Sequence, residues 1–264
     1  MRNSTLIKKS IDSGIVYGTV DIENCPAIVA GWGLFDQNFG MDQILTTPKI
    51  TSISYMKETD SKPTTLGWTF NEDAKGSDTS LLLKFSEWVK DVDVIIGQNT
   101  DAFDIKMINW RINELGLPPI EWPQFSLDIL KLSRKVFRPL SHKLDFRSRT
   151  YGFGGKIDQT MKQIMKVMDG DEKEQAERMR YNAKDVLDTR KVFWREVDSY
   201  KLPVAFVKHL ERIIKGDKPF CKHCQFNKKN KFDITQFRVK LKDTKNYKFR
   251  YQCNRCDYIW DSKK

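Results

Sequence analysis

Apolar positions along the chain fall first into runs with a two-residue beat and later into helical spacing. Ile15–Glu23 is a β-branched run, and Ala27–Phe35 is a second strand-like run a few residues on. Ile50–Met56 predicts a third strand after a turn-rich stretch. Ser80–Lys90 then sets Leu81, Leu82, Phe85 and Trp88 at helical spacing. A short strand over Val92–Ile96 precedes a helix from about Ala102 to Leu115, ended by Gly116 and Pro118. The second half is mostly helical: Asp128–Phe137, Leu144–Gly152, Gln159–Met168, a long polar amphipathic stretch over Glu172–Ser199, and Pro203–Ile214. Strands, then strand–helix alternation, then helices predict an α/β sheet flanked by helices.

Beyond Lys215 the pattern changes. Gly216 and Pro219 punctuate a junction, and Gln236–Leu241 and Tyr247–Tyr251 alternate as the strands of a β-hairpin. Two modules are expected, residues 1–215 and 216–264. Charge divides at the same place. The chain has 46 Lys plus Arg against 35 Asp plus Glu, a net +11, and residues 216–264 alone hold +9 of it. A basic tail on a nearly balanced body points to a polyanionic partner for the tail.

The tail also carries Cys221-x-x-Cys224 and Cys253-x-x-Cys256, two knuckles with 28 residues between them. Paired thiolates from two hairpin tips complete a tetrahedral Cys₄ site, so the tail reads as a small β-rich zinc ribbon with one structural Zn²⁺. A pair of disulfides is the competing reading of the same cysteines. A 49-residue module has too small a core to fold well unaided, and a metal supplies the deficit. Its lysines and arginines interleave with aromatics such as Phe237, Phe249, Tyr251 and Trp260, a pattern suited to phosphates and stacked bases. About half of those rings must instead pack the little core.

The longest uncharged stretch, Asn24–Phe35, is 12 residues, short of the ~20 that span a bilayer. The polar opening MRNSTLIKKSIDSG lacks the apolar core of a secretory signal. A cytoplasmic protein with no membrane partner is therefore expected, in a compartment that favours thiols over disulfides.

Three short patterns carry candidate chemistry. Asp21 and Glu23 stand at i and i+2 on a strand, so both carboxylates point one way. Gln98-Asn99-Thr100-Asp101-Ala102-Phe103-Asp104 joins the run VDVIIG to a helix, placing Asp104 in its first turn. Tyr181 and Asp185 stand at i and i+4 on one face of the long helix. Each alone is also an ordinary feature: strand-end acids, a helix-start aspartate, an acid on a helix surface.

Taken together, Asp-x-Glu on a strand, Asn-x-x-x-Phe-Asp at a strand-to-helix junction and Tyr-x-x-x-Asp on a late helix resemble the three motifs of the DEDD 3′–5′ exonucleases, the DnaQ-like group with a ribonuclease-H-like mixed sheet. Tyrosine in the third motif resembles the DEDDy subgroup. The resemblance is closest to the proofreading domains of family B DNA polymerases. It covers about residues 10–200 and includes Leu127-Asp128-Ile129-Leu130, Ser141-His142-Lys143-Leu144-Asp145 and the Tyr151–Lys156 segment. Gln98 departs from it, since relatives often carry His or Tyr there. With no polymerase sequence beside these motifs, a free-standing exonuclease is expected, a form that the resemblance associates with phage replication genes, among others.

The resemblance implies two Mg²⁺ or Mn²⁺ ions. Asp21, Glu23 and Asp185 would hold the ion that activates water, and Asp21 would bridge to a second ion that Asp104 supports. Tyr181 would orient the attacking water. Asn24, Cys25, Asn99 and Phe103 would grip the substrate's terminal nucleotide. Phe103 and Cys25 have plainer readings as core residues. Activity would be release of nucleoside 5′-monophosphates from DNA 3′ ends, single strands preferred, with a replication protein as a candidate partner. Nothing in the motifs reads the sugar, so a 3′–5′ exoribonuclease stays open, as does an inactive nucleic-acid-binding adaptor. An adaptor has no reason to keep four mutually repelling acids.

Overall fold

The structure, a computed structural model, describes residues 1–33, 38–70, 76–155 and 159–215, and beyond them only the backbone of 234–240, 247–253 and 259–261. It opens with α1 (Asn3–Asp12), β1 (Tyr17–Asn24) and β2 (Ile28–Val29). Then come β3 (Ile44–Thr46), β4 (Ile50–Lys57), β5 (Thr64–Gly67), β6 (Thr69–Phe70) and β7 (Gly76–Ser77). Strand–helix alternation follows: α2 (Thr79–Val89), β8 (Val94–Gly97), α3 (Asp104–Glu114), β9 (Phe125–Asp128). The helical half contains α4 (Ile129–Arg134), α5 (Leu144–Thr150), α6 (Met161–Met168), α7 (Glu172–Glu196) and α8 (Val204–Ile214). Strands β10 (Ile234–Lys240), β11 (Tyr247–Cys253) and β12 (Ile259–Asp261) close the chain. Two compact units result, Val16–Lys201 and Met1–Ile15 with Leu202–Lys264.

Val16–Lys201 is built on a five-stranded mixed sheet in the order β5-β4-β1-β8-β9. β1 pairs antiparallel with β4 and parallel with β8, so it is the central strand. Alternation along β1 sorts its two faces. Val20 and Ile22, opposite Tyr55 and Ile53, join Phe85, Val89, Ile108 and Ile112 of α2 and α3 in the main apolar core. Gly18 lies on that face because Trp88 comes so close that a Cβ there would sit 2.5 Å from its ring. Asp21 and Glu23, opposite Ser54 and Ser52, form the other face, and α7 lies across β1, β4 and β5. That face is small and polar, which leaves room for chemistry beneath the helix.

The predicted α/β class and most elements agree with this arrangement. Of the run predicted over residues 27–35, the described residues 27–33 form a strand at Ile28–Val29, with Gly31 and Gly33 following and breaking the pattern, while residues 34–35 lie outside the described residues. Helix α1 forms in the polar N-terminal stretch, where the pattern predicts no element, and buries Leu6 and Ile7 on one side. In the second unit α1 packs against α8, and β10–β11–β12 form an antiparallel sheet in which the expected hairpin gains a third strand. Cys221, Cys224 and Cys256 lie outside the described residues, as does the side chain of Cys253. Among the described residues no helix is long and apolar enough to cross a membrane.

Candidate active site

The site forms where β1 outruns its parallel neighbour. The β1–β8 register ends at Thr19 opposite Ile96, and β8 stops at Gly97. The chain curls sharply there: a Cβ on Gly97 would collide with Thr100, and Asn99 takes a left-handed φ of 65°. Asp128, at the end of β9, fixes the curl by accepting the Asn99 N–H at 3.0 Å while its carboxylate also caps α4. Helix α3 starts immediately after, and Asp104 in its first turn accepts the Ile22 N–H at 3.0 Å. One carboxylate thus satisfies a central-strand donor that β8 no longer reaches.

From the other side α7 brings Asp185 over the polar face of β1. One oxygen each from Asp21, Glu23 and Asp185 lie within 4.8 Å of one another, a spacing suited to a shared cation. Asp104 stands beside this trio, engaged by Ile22, and its charge still acts on Asp21. Burial pushes the Asp21 carboxyl well above its ordinary range, and the charges of Asp104, Asp185 and Glu23 push it further. Burial likewise raises Asp104 to about 7, against the opposing hydrogen bonds from the backbone N–H groups of Ile22 and of Asp104 itself. Like charges so placed resist ionising together unless a cation joins them. The all-oxygen donor set fits Mg²⁺ or Mn²⁺ and not a soft metal.

The remaining expected residues surround this cluster unevenly. Tyr181 is buried on α7, one turn before Asp185. The Asn24 amide donates to Cys25 O, and Cys25 itself is buried, its Sγ accepting the Lys49 N–H at 3.3 Å. Burial pushes the Cys25 thiol up, the reverse of what a nucleophilic cysteine needs. Phe103 is 42% exposed, so its ring is available to a ligand and not consumed by the core. The Gln98 amide is taken up by hydrogen bonds, donating to His142 O and accepting from Arg147.

Two contacts were not foreseen. Asn182 donates to Asp21 Oδ2 at 2.6 Å, and Arg178 donates to Glu23 Oε2 at 2.8 Å. Both sit on α7 at i−3 and i−7 from Asp185, one continuous stripe of the helix. That spacing is the signal that was present in the sequence.

The model of the family described as DNA polymerase family B, exonuclease domain, matches residues 44–202. The chain belongs to that family. The matched span holds Asp104, Tyr181 and Asp185, whereas Asp21 and Glu23 precede it and rest on geometry. Among solved structures the chain is similar to the family B DNA polymerase from the hyperthermophilic archaeon Pyrobaculum calidifontis. Identity is 14% and the TM-score 0.51, over 76% of this chain and 27% of the polymerase, a likeness of fold. The chain thus spans about a quarter of that polymerase's length. No curated protein matches the sequence.

Proposed function

We propose that the chain is a metal-dependent 3′–5′ exonuclease that releases nucleoside 5′-monophosphates from DNA 3′ ends, single strands preferred. The observation that carries this reading is the convergence of Asp21, Glu23 and Asp185 with Asp104 beside them. Asp21, Glu23 and Asp185 would hold one divalent ion, with Asp21 and Asp104 supporting a second. Such ions supply a nucleophilic water near neutral pH and relieve charge on the leaving oxygen. The protein's part is to hold these carboxylates together and to seat the terminal nucleotide against Asn24–Cys25, Asn99 and Phe103. Tyr181 serves as a positioner of water, because a phenol with a pKa of ~10 is a poor base at neutral pH.

The basic C-terminal segment is proposed to bind one Zn²⁺ through Cys221, Cys224, Cys253 and Cys256 and to hold the nucleic acid by its phosphates. Membership in a polymerase-associated family supports a place beside DNA synthesis, with a replication protein as partner.

The test incubates the full chain with Mg²⁺ or Mn²⁺ and 5′-labelled single-stranded DNA, duplex DNA and RNA, each also with a blocked 3′ end. A ladder from the open 3′ end of single-stranded DNA, lost in Asp21→Ala and Asp185→Asn, is the expected result. A ladder on RNA alone would make the chain an exoribonuclease. No digestion of any substrate, or full activity in either variant, would reject the assignment.

A further inference from the structure

Arg178 is buried, and its donors are spread over several acceptors at one bend of the chain. Nη2 reaches both Glu23 Oε2 and the Asn24 carbonyl at 2.8 Å. Nε donates to Thr51 Oγ1 at 2.9 Å, and Nη1 to Gln159. Thr51 Oγ1 in turn donates to the Glu23 carbonyl at 2.9 Å. These bonds gather where the β1–β4 register shifts, between Glu23 and Asn24. On one side of the bend is an ion ligand. On the other is the segment expected to seat the terminal nucleotide. Asn182 offers the contrast, its amide touching Asp21 and Ser52 but nothing in that segment.

Neutralising the acids would not require this geometry. A flexible ammonium would serve as a counter-charge, whereas a planar fork holds a carboxylate and a carbonyl in fixed relation. We infer that Arg178 is a positioning residue that fixes Glu23 and Asn24 as one unit, coupling the ion site to the nucleotide seat, while Asn182 positions Asp21 alone. The inference rests on the nuclease reading for the identity of the nucleotide seat.

The two roles open to Arg178 predict opposite signs. Removing a mere counter-charge makes the cluster more negative and tightens divalent binding. Removing a positioner weakens it, typically by 10–100-fold for a partner of a metal ligand. Mn²⁺ affinity is measured on the full chain by calorimetry, and thymidine 5′-monophosphate affinity is then measured at saturating Mn²⁺. Arg178→Lys and Arg178→Met should both weaken Mn²⁺ about tenfold or more and weaken the nucleotide at least several-fold. Asn182→Ala should weaken Mn²⁺ with nucleotide affinity kept within about twofold. Thr51→Val, which keeps the side-chain shape, covers the case in which an Arg178 variant does not fold. It should shift both affinities in the same direction by a smaller factor. Wild-type behaviour of Arg178→Lys, tighter Mn²⁺ binding by Arg178→Met, or loss of Mn²⁺ affinity alone would overturn the coupling. A wild-type chain that binds both probes yet cleaves nothing would reject the nuclease reading and leave these affinities to decide on Arg178.

Discussion

Two groups of buried charge lie in the same unit, and they are built on opposite principles. Around Glu196 every charge has its complement. Arg147 grips the carboxylate with Nε at 2.9 Å and Nη2 at 2.5 Å, and its Nη1 reaches Gln98 at 3.0 Å. Tyr151 and Tyr200 donate to the same carboxylate at 2.7 and 2.6 Å. Burial and the adjacent carboxylate push the Tyr151 hydroxyl up to about 12, which keeps it a donor. At the end of β1, Asp21, Glu23 and Asp185 converge with Asp104 beside them, and Arg178 is bonded to this group through Glu23. Like charges brought this close raise one another's pKa, as they do for Asp21. The balanced group secures α5 to α7, whereas the acid-rich one has the donor set and spacing that suit a divalent cation.

The contrast can be broken first at Glu196. Glu196→Ala strands a buried Arg147 and should cost about 3–5 kcal/mol in denaturant unfolding. Asp185→Asn, which relieves repulsion, should cost nothing in metal-free protein. If the two variants lose similar stability, the distinction between the groups fails.

Acidity sharpens the same contrast. Asp104 titrates near 3.8 when unfolded and at about 7 when folded. The native state therefore holds a proton that the unfolded chain has released, so this contribution is complete below about pH 4 and lost as pH rises through about 7. Measured without divalent ions, wild type should lose on the order of a few kcal/mol relative to Asp104→Asn between those limits. A difference that stays flat with pH would show that burial does not raise this carboxyl.

The smallest stability effect belongs to Phe103. Its ring is exposed, so Phe103→Ala should change stability by no more than about 0.5 kcal/mol. Loss of a stacked base should nonetheless raise KM for single-stranded DNA by about tenfold. An unchanged KM would remove Phe103 from the substrate path.

Much of this was legible in the chain because periodicity and position carry it. Asp21 and Glu23 share a face by strand alternation, Asp104 stands in a first helical turn, and Tyr181 and Asp185 share a helix face by spacing alone. Arg178 and Asn182 were harder to read. Their spacing was visible, but which stripe of a 25-residue polar helix turns toward the sheet is decided by docking against Ser52 and Ser54. Asp128 was likewise hidden, since its role depends on two parallel strands ending side by side. Helix α1 was hard to read because Leu6, Ile7 and Ile11 are the whole of its apolar pattern within a polar stretch, too short a periodic signal to stand out.

That the β1 cluster is an acid set held ready for divalent ions is tested most directly by the unfolding free energy of the full chain during a Mn²⁺ titration, run beside Asp185→Asn. Wild type should gain stability with Mn²⁺, by about 2.7 kcal/mol at a hundredfold excess over Kd. Asp185→Asn should match or exceed wild type without the ion and gain little from it. A wild type indifferent to Mn²⁺, or an Asp185→Asn chain that is less stable without Mn²⁺ and gains as much from it, would contradict the assignment.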